Sequence, residues 1–108
     1  MKWEEFIEFL KSIDLTYFSD QQFKYNDGSV IIIVGITDVV GNFTLCLGKH
    51  KQGHYDGGGL KNYFLNYKDP DIKQIIIDII LNYYKPFGII PNNIKKLLRE
   101  KKIDQILD

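Results

Sequence analysis

Both histidines of this 108-residue chain, His50 and His54, fall with Asp56 in one stretch, residues 48–59, that also holds five of the nine glycines. The His-x3-His-x-Asp spacing points to a definite chemistry. Histidines four apart on a helix share a face and can bind one metal ion, with a carboxylate as a further ligand. Glycines 48, 53 and 57–59 argue against a helix, so the spacing loses that geometry. No Glu stands between the histidines to act as a base. A small metal-dependent enzyme using His50, His54 and Asp56 is therefore one alternative reading. The other is a polar loop that needs no metal and no cofactor.

Other chemistry is thinner. Gly53-x4-Gly58 followed by Lys61 has a near phosphate-loop spacing. The Gly-Lys-Ser/Thr ending is missing and no parallel βαβ unit is readable, so the glycines serve only to reverse the chain. Cys46 is the single cysteine and alternates with leucines, as a small packed strand residue does; a disulfide within the chain is excluded. Asp38, Asp56 and Asp69 sit in predicted loops or at an element boundary, with no spacing that pairs them as acid and base. The three serines lie in no nucleophile-elbow pattern.

Charge is balanced overall, with 14 basic and 14 acidic residues, but it is polarised. Lys2 and Lys11 against Glu4, Glu5, Glu8, Asp14 and Asp20 leave residues 1–20 at −3. Lys85, Lys95, Lys96, Arg99, Lys101 and Lys102 against Glu100, Asp104 and Asp108 leave residues 85–108 at +3. The two ends can face each other in the fold. The C-terminal cluster could contact phosphates. It holds the only arginine of the chain, and bidentate readout of bases and phosphates favours arginine. Seven tyrosines exceed what one small core can bury with satisfied hydroxyls, so some must lie at the surface. There tyrosine favours protein interfaces.

These residues must be positioned by one domain, residues 1–108, since the length suits a single core. Trp3, Phe6, Ile7, Leu10 and Ile13 predict an amphipathic helix over residues 2–13. Residues 14–21 are ambiguous. Residues 23–25 read as a short strand, and Asn26-Asp27-Gly28 as a type I′ hairpin turn. The nearly continuous Ile/Val run of residues 29–36 predicts a central strand covered on both faces. Residues 43–47 alternate as a half-buried strand, and residues 60–67 are read as a fourth strand. Asp69-Pro70-Asp71 opens a helix whose stripe runs through Ile72, Ile75, Ile76, Ile79, Ile80 and Tyr83. Lys85-Pro86-Phe87-Gly88 ends it. Asn92 or Asn93 caps a further helix that either continues to the C-terminus or breaks before Ile103.

The expected class is α+β: an antiparallel meander of three or four strands packed on one face by an N-terminal helix and two or three C-terminal helices. The opening residues carry acids where a secretory leader has an apolar run, and no apolar run is long enough to span a bilayer. A cytoplasmic protein without a membrane partner is expected. The absence of alanine and the wealth of Ile, Lys, Asn and Tyr suggest AT-rich coding and a microbial or phage source.

With no catalytic constellation, the preferred reading is a small protein that docks on another protein, as an inhibitor or antidote does: a toxin-immunity protein, or a phage-encoded blocker of host defence. Its docking edge would be His50, His54, Tyr55 and Asp56 with Lys61, Tyr63 and Tyr67. Glu4, Glu5 and Glu8 form a competing acidic patch suited to a basic target. A nucleic-acid module using Lys95, Lys96, Arg99, Lys101 and Lys102 is a further alternative, as is a homodimer through the aromatic surface.

Overall fold

The computed structural model describes residues 1–19, 21–51, 54–55 and 60–107, and the side chains of these except at positions 50, 51, 54, 55 and 101–107. The elements run α1 (Trp3–Ser12), β1 (Thr16–Ser19), β2 (Gln22–Asn26), β3 (Val30–Ile36), β4 (Asn42–Lys51), β5 (His54–Tyr55), β6 (Lys61–Asn66), α2 (Ile72–Tyr84) and α3 (Asn92–Leu107). All strand pairs are antiparallel, in the order β1-β2-β3-β4-β6, with β5 pairing the far end of β4. The fold is α+β, a meander as expected, with more strands than the three or four anticipated. Among the described residues no helix is long and apolar enough to cross a membrane.

Register divides the sheet into two faces. Val30, Ile32 and Val34 of β3 share a face with Phe43, Leu45 and Leu47 of β4 and with Phe23 of β2, and all are buried. Onto this face pack Phe6, Phe9 and Leu10 of α1, Ile72, Ile76, Ile77, Ile80 and Tyr84 of α2, and Ile94 and Leu97 of α3. The alternate positions form the second face: Lys24, Ile33, Thr44, Cys46, Asn62 and Phe64. The helices lie on one face, as expected, but the full cover of β3 on both faces expected from the apolar run of residues 29–36 is not what the chain builds. Ile33 is only half-buried and Phe64 is exposed.

Local chemistry explains the boundaries. Phe9, not Trp3, belongs to the buried stripe of α1; Trp3 is 40% exposed. The β2–β3 turn centres on Gly28 and Ser29, because Asp27 N–H donates to the Val30 carbonyl. Gly28, at φ 90°, is thus the first central residue, the place of glycine in a type II′ turn rather than the expected type I′. α2 starts at Ile72 with Asp71 at its N-cap, later than Asp69-Pro70 places it; Asp69 accepts the Asp71 amide at 2.9 Å in the preceding turn, and Gly88 closes the short 3-10 turn after the helix at φ 69°. α3 is one continuous helix.

Helices and sheet are tied by buried polar groups at the end of the sheet that carries the β2–β3 turn. The one proton of the Tyr84 hydroxyl is shared between the Gly48 and Ile31 carbonyls, both within hydrogen-bond distance. Asn93, 1% exposed, donates through Nδ2 to the Ile13 carbonyl at the end of α1, 2.7 Å away. The opposite charges at the two chain ends meet in one ion pair among the described residues, Lys96 with Asp14 at 3.7 Å. Both partners are about half exposed, so the pair contributes little.

Candidate docking surface

The topology brings the histidine stretch and β6 to the same side of β4. His50 pairs with Tyr55 and Lys51 with His54, while Lys61 and Tyr63 pair with Leu47 and Leu45. The stretch of residues 48–59 is therefore not loop throughout: β4 claims its start and β5 its centre. Six positions separate Tyr55 from Lys61, whereas three separate their partners His50 and Leu47, so the second arm carries an insertion. The side chains of His50, His54 and Tyr55, and all of Asp56, lie outside the described residues. Of the remaining docking candidates, Lys61 is exposed with its ammonium 5.9 Å from the Tyr63 ring. Tyr67 is buried at 9%, stacked on Phe6 at 5.1 Å, and belongs mainly to the core.

The other candidates separate in space. Cys46 lies on the second sheet face, in register with Ile33 and Asn62, and burial pushes its thiol above the ordinary value, away from a nucleophile's thiolate. Asp38, Asp69 and Asp27 all accept backbone amides in turns, and no two of them form an acid–base pair. Among the described residues no group of three His, Cys, Asp or Glu is placed to hold a metal ion. Lys95 and Arg99 line a recess with Ile90, Asn92 and Leu98, and Lys101 and Lys102 have side chains outside the described residues. Glu4, Glu5 and Glu8 run along exposed α1 beside Phe9, Ser12 and Lys73, around a recess of about 510 Å³.

One site was not anticipated. At the β3–β4 turn, Val39 is 95% and Val40 56% exposed. With Trp3, Gln21, Ile36, Asp38 and Tyr67, Val39 lines a cleft of about 350 Å³. Trp3 leans on Tyr67 at a tilt, ring centres 5.7 Å apart, and Tyr67 in turn stacks on Phe6, so one wall is an aromatic set continuous with the core. The turn that holds Val39 outward is heavily bonded. Asp38 accepts the amides of Val40 and Asn42 and the Asn42 side chain, at 2.9, 3.1 and 2.7 Å. Asn66 donates to Asn42 Oδ1 at 2.9 Å. Gly41, at φ 107°, permits the close approach: a Cβ there would stand 2.6 Å from Asn66 Oδ1. The Asn42 side chain and amide hold the Asp38 carboxyl below the usual carboxylate range, so the rim is negative at neutral pH.

Among the described residues the slot brings together no nucleophile with a base and no metal ligand set. The arrangement offers an apolar slot with one acidic residue on its margin, Asp38 on the turn, while Glu4 lines the separate recess beside Phe9 on α1. Polar residues usually occupy hairpin turns, and two adjacent valines at the tip were the legible signal for this surface. No protein-family model matches the chain, no curated protein matches its sequence, and no solved structure matches its fold.

Proposed function

We propose that this chain is a small binding domain that docks on another protein and works by occupying it, as an inhibitor or antidote does. The observation that carries the reading is the slot between Trp3, Ile36, Tyr67 and Val39, with Val39 95% exposed on a turn held by the Asp38 carboxyl. A valine so held gains nothing from folding, whereas a partner that covers it recovers its burial energy. The acidic residues Asp38, Glu4, Glu5 and Glu8 fit a basic partner that inserts an apolar side chain. A cytoplasmic toxin or defence effector of basic, nuclease-like surface is the partner this reading favours, in a microbial or phage setting. The hairpin carrying His54 and Tyr55 stays a secondary docking edge within the proposal.

The test is affinity capture from nuclease-treated lysate, followed by binding of the captured protein to point variants. Val39→Asp and Trp3→Ala are each expected to weaken the complex by about 1–2 kcal/mol or more, while Lys95→Glu leaves it unchanged. Equal binding by Val39→Asp and the native chain removes the slot as the site. Partners that vanish on nuclease treatment, with binding lost in Lys95→Glu, move the weight to the nucleic-acid reading. Stoichiometric metal in untagged protein moves it to His50, His54 and Asp56.

A further inference from the structure

The sheet has two edges, and they are built differently. β1 is four residues long, its register slips between Tyr17 and Ser19, and Asp14 and Gln21 flank it in left-handed conformations at φ 63° and 66°. Shortness and a bulge are the usual means of keeping an edge from pairing with another chain. β6 has neither. Its six residues, Lys61–Asn66, stay in unbroken register with Asn42–Leu47, contain no proline, and carry one charge, Lys61, at the first position. No described strand pairs its outer side. Phe64, at its middle, is 80% exposed.

The hydrogen-bond phase of that free edge follows from the ladder. Tyr67 N–H donates to the Gly41 carbonyl at 3.0 Å, which makes Tyr67 and Gly41 a hydrogen-bonded pair. Counting back by twos, Leu65, Tyr63 and Lys61 turn their amides toward β4. Asn62, Phe64 and Asn66 therefore turn theirs outward.

We propose that β6 pairs antiparallel with β6 of a second copy, about a two-fold axis through Phe64, so that the two sheets become one. In that register Phe64 faces Phe64, Asn62 faces Asn66, and Tyr63 faces Leu65. Aromatic meets aromatic, amide meets amide and apolar meets apolar, the matching that stabilises cross-strand pairs. The self-complementarity is what a two-fold interface requires. Residues 62–67 are uncharged, and Lys61 comes against the Tyr67–Asp69 turn of the other copy, where exposed Lys68 and Asp69 balance each other. A peptide of another protein could use the same amides but would not bring its own Phe and amide partners into this register. The interface shares Tyr67 with the Val39 slot, but its test is read at Asn62, Phe64 and Asn66, which the slot does not include.

Light scattering on the eluting protein across a concentration series measures the mass, and amide hydrogen exchange reads the edge. Expected are a species of twice the 12.6 kDa chain mass at high concentration and slow exchange at Asn62, Phe64 and Asn66 in that species. Phe64→Glu, at an exposed position, is expected to weaken dimerisation by about 30-fold or more. A chain that stays monomeric throughout overturns the proposal. So does a dimer in which those three amides exchange as fast as in the monomer, a readout that needs no variant to fold.

Discussion

The two ends of the sheet use the same kinds of residue for opposite purposes. At one end the β2–β3 turn sends its polar groups inward. Asp27 accepts the amides of Ser29 and Val30 and the Tyr25 hydroxyl, and the Asn92 amide at the start of α3 also bonds to it. Tyr84 and Asn93 complete the seam. At the other end the β3–β4 turn closes on itself: Asp38 binds Val40 and Asn42, and the valines are left outside. Both aspartates are turn residues and both titrate below the usual range. The difference is that one turn spends its bonds on the helices and the other on its own rigidity. Stability is thereby concentrated at the first end and an open apolar surface at the second.

Substitutions that separate stability from binding test this contrast. Asn93→Ala removes a buried donor and leaves the Ile13 carbonyl unpaired, an expected loss of about 2–3 kcal/mol by denaturant unfolding. Tyr84→Phe strips the hydroxyl that serves two carbonyls, and about 1–2 kcal/mol should go with it. Asp27→Asn is expected to cost less at neutral pH and to change the pH profile instead. Burial alone would raise the Asp27 carboxyl, but bonds from Ser29, Tyr25, Val30 and Asn92 outweigh it, so its pKa is lower in the folded chain. That carboxylate therefore adds stability above about pH 4, lost as pH falls through the folded value. The native chain should lose stability on acidification more steeply than Asp27→Asn; parallel curves from neutral to acid pH would refute the seam. Smallest of all, Val39→Ser should leave stability within about 0.5 kcal/mol while reducing partner binding.

Burial and its partner also push the Tyr25 hydroxyl up to about 12, chiefly by desolvation and then by Asp27, so the pair does not titrate near neutral pH. The seam is a fixed joint, not a switch.

Legibility in the sequence followed the range of the interactions. Asp69-Pro70 and the isoleucine stripe located α2 because capping and helical periodicity are local. The Ile/Val run located β3, and alternation located β4, for the same reason. β1 escaped because all four of its residues are exposed, so no burial pattern marked it. The seam escaped because its bonds join residues far apart: Asn93 could be read as a helix cap, but not as the partner of Ile13, 80 positions away. The slot escaped for a different reason. Trp3 fits the helical period of α1 and Val39 sits in a recognisable turn, and only the packing shows that Phe9 takes the buried place while Trp3 turns to Tyr67.

The meander has a consequence in time. Each strand from β2 to β5 pairs with the one made just before it, and β6 returns only as far as β4, so the sheet needs no search for a distant partner. On a ribosome the sheet and α1 can assemble before α2 and α3 emerge. For that interval part of the apolar face is bare, and the late helices, with Tyr84 and Asn93 as their bolts, convert a nascent sheet into a protected one.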